Sequence, residues 1–311
     1  MDLFEKRSHN IKDNMRFYLG IDGGGSTIRV ALIDEEKRVL AHFKLQRNSN
    51  PTSTGFEYLR ETLILIRQQI ITFSQGIARI IINLAGVGGA QQLIRAKQTV
   101  KEVFFETQDV EVYHDAHGSL LANSPREASI LVICGTGSAI VGKDLNERFY
   151  RAGGWGYLLG DEASGFWLVK RLFQEYLAFQ DGIREDDKAF DVFRERFEKE
   201  PRDALYRFYE ADARRETASL SSLFLNQEVA LAQQIITEGI IVIKKAIDSM
   251  RNEIKDHIQR IFYMGGMFES PFFLREFERL NEDEIPLEKG KKDIEIELAA
   301  IGKEKDGRDQ R

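Results

Sequence analysis

Three glycine-rich turns constrain this chain more than any other feature: Asp22-Gly23-Gly24-Gly25-Ser26-Thr27, Gly135-Thr136-Gly137-Ser138 and Gly265-Gly266. Each is entered from a short apolar run, and the first opens with an acid. Glycine leaves backbone N–H groups uncovered and allows φ above zero, so such turns can wrap an anion that any Cβ would push away. Read together they describe a split phosphate site, carried by two lobes that close around a nucleotide.

The residues between the turns alternate strand and helix signals. Phe17 to Ile21, Ile28 to Ile33 and Val39 to Leu45 are short β-type runs, the latter two alternating in and out, and predict a meander. A helix follows from about Gly55 to Phe73, with Phe56, Leu59, Leu63, Ile66 and Ile70 drawing one buried stripe. Arg79 to Ala85 suits a strand covered on both faces. A helix near Ala90 to Phe105 and a strand at Val110 to Tyr113 complete a first α/β lobe, residues 16–124, after a polar extension, residues 1–15, expected to be disordered. Met15 stands directly before the first strand, a second position at which translation could begin.

The second lobe, residues 125–286, starts after Ser124-Pro125 and repeats the theme of strand, glycine turn, strand: Ser129 to Cys134, Ala139 to Gly142, Phe149 to Ala152. A strongly helical region runs from Glu162 to His257. Within it Ile236, Ile240, Ile243, Ile247, Met250 and Ile254 form a seam that reads as a core helix, with a coiled-coil partner as the alternative. Arg260 to Met264 returns as a strand into Gly265-Gly266, and Ser270-Pro271 opens a further helix. Residues 287–311 form a charged segment, of which Lys303 to Arg311 reads as a solvated tail.

A formal net charge of −6 argues against nucleic acid or an anionic membrane as general partner, so any phosphate binding must be local. The single cysteine, Cys134, excludes an internal disulfide and any zinc or iron–sulfur site that needs several thiolates from one chain, and fits a reducing cytoplasm. No run of about 20 apolar residues is present to span a membrane. The P-loop pattern and the dinucleotide fingerprint G-x-G-x-x-G are both missing, which leaves a two-lobed phosphotransferase type.

The series Ile21-Asp-Gly-Gly-Gly-Ser-Thr27, His114-Asp115-Ala116, Gly135-Thr-Gly-Ser138, Gly153-Gly-Trp-Gly156 with Leu159-Gly-Asp-Glu162, and Gly265-Gly266 resembles the motifs of N-acetylglucosamine kinases. These belong with the activator ATPases of benzoyl-CoA reductase and 2-hydroxyglutaryl-CoA dehydratase, in the superfamily of sugar kinases, actin and heat-shock chaperones. The resemblance covers roughly Phe17 to Leu280. It implies a two-lobed actin-like ATPase fold with ribonuclease H-like lobes, the nucleotide in the interlobe cleft, ATP and Mg2+ as cofactors, a small sugar as substrate and a homodimer as the assembly.

Each motif also has a chemistry of its own. Backbone amides of Gly23, Gly24 and Gly25 with the hydroxyls of Ser26 and Thr27 would surround the β- and γ-phosphates, and Asp22 would orient magnesium through water. An ordinary hairpin is the plain alternative. Gly135, Thr136, Gly137 and Ser138 would do the same for the opposite side of the phosphate chain, and Gly265 and Gly266 would let the adenosine lie against backbone. Asp115 follows an apolar strand and precedes a helix, where α/β proteins present groups to ligands, and is the candidate general base for a sugar hydroxyl. Its competing role is to cap that helix. His114 and His117 could mimic a metal pair but lack a third ligand.

By similarity, Gly154, Trp155 and Asp161 would meet the sugar, with Thr136 and Asn50 assisting. Asp161-Glu162 could equally be the acidic first turn of the following helix. Two departures from the family pattern stand out. Ala139 replaces an asparagine that holds the sugar in the kinases, which leaves glucosamine, N-acetylmannosamine and muramic-type sugars open beside N-acetylglucosamine. The Pro-x-x-Gly-Ala stretch and closing helix are missing as a pattern, so the closing helix is expected to be shortened or replaced. Two functions therefore compete: ATP-dependent phosphorylation of an amino sugar, and a cluster-free regulatory ATPase or sugar-responsive activator. A cluster-bearing activator is disfavoured because one thiol per subunit cannot supply four ligands in a dimer.

Overall fold

In a computed structural model of the chain, residues 15–196, 208, 213–225, 229–282 and 285–309 are described. The extension expected to be disordered lies outside these residues except for Met15, as do short stretches of the helical region. The chain divides into two compact units, residues 1–125 with 291–311, and residues 126–290.

The first unit is built on a five-stranded mixed sheet of β1 (Phe17–Gly23), β2 (Ile28–Ile33), β3 (Val39–Leu45), β4 (Ile77–Leu84) and β5 (Asp109–His114), in the order β3-β2-β1-β4-β5. The meander β1-β2-β3 is antiparallel, and β4 and β5 add in parallel beside β1. One face carries Leu19, Ile21, Val30, Leu32, Ile80 and Ile82 into a core with α1 (Phe56–Gln69) and α2 (Ala90–Val103). The stripe expected on α1 is buried at Leu59, Leu63, Ile66 and Ile70. The helix ends sooner than Phe73, because the chain tightens after Ile70 into a 3-10 turn, Ile71–Gly76.

The opposite face corrects two expectations. Strand β2 does not alternate; it is buried at every position except Arg29. The cover is a 16-residue helix, Ile294–Asp309, where a shortened closing helix and a solvated tail were expected. Its Ile294, Leu298, Ala299 and Ile301 are buried, each large side chain contributing roughly 1.5–3 kcal/mol. The helix lies so close to β1 that a Cβ on Gly20 would stand 1.9 Å from the Glu295 carbonyl oxygen. Its charges find partners on the sheet: Tyr18 donates to Asp306 (2.9 Å), Lys305 reaches Glu111 (2.7 Å) and Lys37 reaches Glu304 (3.0 Å). The nine-residue helix α3 (Asp115–Asn123) follows β5 directly and packs on the same face.

The second unit repeats this topology. Strands β6 (Ser129–Cys134), β7 (Ser138–Lys143) and β8 (Phe149–Ala152) form the antiparallel meander, with β9 (Arg260–Met264) and β10 (Leu287–Lys289) parallel beyond β6. The order is β10-β9-β6-β7-β8. Helix α4 (Gly165–Gln180) is capped by Ser164, whose oxygen accepts from Trp167 N at 3.2 Å. The seam on α5 (Ala230–Glu253) is buried within its own unit from Ile236 to Ile254, which accounts for its periodicity without a coiled-coil partner. Helix α6 (Pro271–Leu280) starts at Pro271 with Ser270 as cap.

Candidate functional site

In the first unit the glycine turn is the loop of the β1-β2 hairpin, closed by Gly24 N to Thr27 O at 3.0 Å. None of Gly23, Gly24 and Gly25 takes a left-handed φ. What excludes side chains is space: a Cβ on Gly23 would meet Ser49 Oγ at 2.5 Å and Leu84 Cδ2 at 2.8 Å. A Cβ on Gly25 would meet nothing within 4 Å, and Gly25 and Ser26 are exposed. The loop is braced from behind, where Gly24 O accepts from Ser49 N (3.1 Å) and Ser49 Oγ (2.9 Å).

Asp22 stands one residue before this loop, opposite Asn83 of β4. Its Oδ1 accepts from Asn83 Nδ2 at 2.9 Å, and its Oδ2 pairs with the half-exposed Arg29 at 3.2 Å. Burial raises the Asp22 carboxyl above the usual carboxylate range; the Asn83 hydrogen bond and the Arg29 charge oppose this only in part. Sequence reasoning missed Asn83. The fully buried amide also lies 3.5 Å from Ser119 Oγ, and α3 approaches it so closely that a Cβ on Gly118 would meet Asn83 Oδ1 at 2.5 Å. The available signal was one amide inside the apolar run Ile80-Ile81-Ile82-Asn83-Leu84.

Gly23, Leu84 and His114 are level in register across β1, β4 and β5, so Asp115 emerges at the carboxyl edge of this sheet, the edge that bears the glycine hairpin. Its side chain is 46% exposed. The capping alternative is present too: Asp115 Oδ1 accepts from Ala116 N at 2.9 Å and lies 2.9 Å from His114 Nδ1. His114 and His117 have ring centroids 5.6 Å apart. Asn50 sits at the same edge. It caps the helical turn Pro51–Thr54 through Thr52 N (2.9 Å), and a Cβ on Gly86, after β4, would collide with its Oδ1.

In the second unit two glycine turns converge. Gly135 follows β6 and Gly265 follows the neighbouring β9, and a Cβ on Gly135 would lie 3.9 Å from Gly266 N. Gly265 has φ +109°, and a Cβ there would stand 2.2 Å from Cys134 O, so geometry and space both demand glycine. Ser138 Oγ donates to Glu162 O at 2.7 Å and Gly165 N to Gly135 O at 2.8 Å, which ties the second turn to the start of α4; Thr136 is exposed.

Asp161 is not in the first turn of α4, which begins four residues later. It is buried with φ +58°, its Oδ1 accepting from Gly156 N (3.1 Å) and its Oδ2 pairing with Arg214 (3.2 Å). A Cβ on Gly137 would lie 2.5 Å from that oxygen, so the carboxylate underlies the second glycine turn. Burial raises Asp161 above the usual range, with Arg214 opposing, and burial together with the Asp161 charge pushes the Cys134 thiol up. Cys134 is thus an inert buried side chain. Trp155, Leu158 and Leu159 are exposed at 78%, 70% and 86%, on a loop in which Gly153, Gly154 and Gly156 take left-handed φ. The Arg151 guanidinium donates to the Gly153 and Gly154 carbonyls beside the Ala139 methyl. A separate polar recess lined by Asp248, Arg251, Asp256 and His257 lies by the start of β9, at the other edge of the sheet.

The profile described as the BadF/BadG/BcrA/BcrD ATPase family matches residues 19–302. The chain is 31% identical over 156 residues to an N-acetylmuramic acid/N-acetylglucosamine kinase of Clostridium acetobutylicum, covering 49% of this chain and 50% of that protein. It is 25% identical over 186 residues to an N-acetyl-D-glucosamine kinase of Dictyostelium discoideum, covering 53% and 56%. The matched stretches thus span about half the length of these curated relatives. Among solved structures, a candidate N-acetylglucosamine kinase from Porphyromonas gingivalis superposes with a TM-score of 0.72 at 16% identity, over 90% of this chain and 97% of that one, which shows a shared fold. The extent of the profile match decides the family: the chain belongs to the BadF/BadG/BcrA/BcrD ATPase family.

Proposed function

We propose that this chain transfers the γ-phosphoryl group of ATP to a hydroxyl of a small amino sugar, with Asp115 as general base. The observation that carries the proposal is the half-exposed Asp115 carboxylate at the sheet edge that bears the glycine hairpin. The names of the relatives, kinases of amino sugars, support the acceptor class.

Each unit brings its own glycine turn to nucleotide binding. The open amides and hydroxyls of Gly23 to Thr27 meet phosphate oxygens; Gly135 to Ser138 do likewise, and Gly265 with Gly266 present bare backbone to the nucleoside. The Asp22 carboxylate fits magnesium held through water: Asn83 orients its Oδ1, and the Arg29 that pairs with its Oδ2 is half exposed and can swing aside. That ion, when bound, neutralises charge on the phosphates. Asp115 accepts the proton of the attacking sugar hydroxyl, and the remaining task is alignment and exclusion of water. Asn50, Thr136, Gly154, Trp155 and Asp161 hold the sugar, Asp161 through whatever hydrogen-bonding capacity Gly156 and Arg214 leave it. A homodimer belongs to the same proposal, and light scattering would show the mass of two chains.

Release of ADP is expected to require an amino sugar, and Asp115→Asn is expected to lower kcat by roughly 10²–10⁴-fold with ATP affinity unchanged in calorimetry. Equal ATP turnover with and without sugar would favour a regulatory ATPase instead.

A further inference from the structure

The last helix buries a glutamate in an unusual setting. The Glu295 side chain is fully buried; one oxygen lies 2.8 Å from His42 Nε2, and the other, Oε2, has no hydrogen-bond partner among the described residues. It cannot withdraw by shifting its backbone, because the Glu295 carbonyl is packed against Gly20. His42 projects from the edge strand β3, level with Ala31 and Gly20 on the face that the helix covers. One carboxylate oxygen of Asp293, one of Glu295 and a ring nitrogen of His42 all lie within 4.8 Å of one another. Buried carboxylates are tolerated when paired or bound to metal, and a half-exposed imidazole satisfies only one of the two oxygens here.

We propose that His42, Asp293 and Glu295 form a divalent transition-metal site that fastens the last helix to the first sheet. One imidazole with two carboxylates is a donor set for zinc, manganese, cobalt or nickel rather than for calcium or magnesium, which prefer oxygen alone. The exposed sides of His42 and Asp293 provide the entry path and room for water to complete the coordination. The three residues come from two segments of the first unit about 250 residues apart in sequence, so the ion would join the two stretches of chain from which that unit is made.

The test is titration of chelator-treated full-length protein with zinc, manganese or cobalt chloride in the absence of nucleotide, read by calorimetry, thermal shift and the cobalt absorption bands. Saturable binding to one site with a raised Tm is expected. His42→Ala, at a half-exposed ring, is expected to weaken binding by about tenfold or more while the circular dichroism spectrum is kept, and Asp293→Asn to weaken it as well. Asp22→Asn is expected to leave this binding intact, which separates the site from magnesium at the nucleotide. No saturable binding of any of the three ions to the wild-type protein, or binding unchanged in His42→Ala, would overturn the proposal.

Discussion

Glycine serves two separate purposes in the candidate site. At Gly265 the backbone itself requires it, through φ +109° and the contact with Cys134 O; at Gly25 nothing in the protein does. Gly265→Ala is therefore expected to destabilise the fold by about 1–3 kcal/mol in denaturant titration. Gly25→Val should leave stability within about 0.5 kcal/mol, since nothing among the described residues lies within 4 Å of that side chain's place, and under the proposed function it should weaken ATP binding. Asp22 has a signature of the same kind. A carboxyl whose folded pKa lies above its unfolded value gains stability as pH falls through the folded value, so at neutral pH its charge works against folding. Asp22→Asn should raise the Tm of the nucleotide-free protein while weakening its binding of MgATP; a lowered Tm would contradict this. At this scale the sequence disclosed the glycines and Asp115, because turn chemistry is local. It hid the Asn83 bridge to Asp22 and the Arg214 pair with Asp161, because these join residues 61 and 53 positions apart.

The last helix was the element least legible in advance. Its Lys303-Glu304-Lys305-Asp306 run has the composition of a solvated tail, and nothing local reveals that Glu304, Lys305 and Asp306 meet partners on the β2-β3 turn, β5 and β1 respectively. The interleaved Ile294, Leu298 and Ile301 held the signal, masked by those charges. Gly20→Ala should test the packing. Its Cβ meets helix backbone, which cannot move aside alone, so a loss of about 1–3 kcal/mol or more is expected. The ion pair adds a pH dependence. Burial works against the Glu111 carboxylate, but hydrogen bonds from Lys305 and Tyr113 outweigh it and hold it below the usual range. A depressed carboxylate contributes stability above its unfolded pKa and loses it as pH falls through the lower folded value, so wild type should show an acid limb that Lys305→Met flattens. A pH–stability profile unchanged by that substitution would remove the pair from the account of how the helix is held. The α5 seam and strand β3, by contrast, stood within the chain as plain periodicities, since each turns its apolar stripe toward the core of its own unit.

At the scale of the whole molecule, two units of equivalent strand order each place a glycine turn after their central strand, β1 or β6, at the carboxyl edge of the sheet, where the proposed phosphate contacts would form. The duplication was readable as two successive passages of strand, glycine turn and strand. The return of residues 291–311 to the first unit was not, because the charges between Lys303 and Asp306 mask the apolar positions of the last helix. Under the proposed transfer, Ala139, which lies beside Arg151 and Gly154, is the position expected to bear on acceptor choice. Ala139→Asn is expected to shift kcat/KM toward N-acetylglucosamine by about tenfold, and an unchanged ranking across the sugar panel would take the residue out of specificity. The central claim is tested most directly by following the γ-phosphorus of ATP by nuclear magnetic resonance during turnover with an amino sugar. Transfer predicts one sugar phosphate ester formed per ADP, with no inorganic phosphate; inorganic phosphate released in step with ADP and no ester would contradict it.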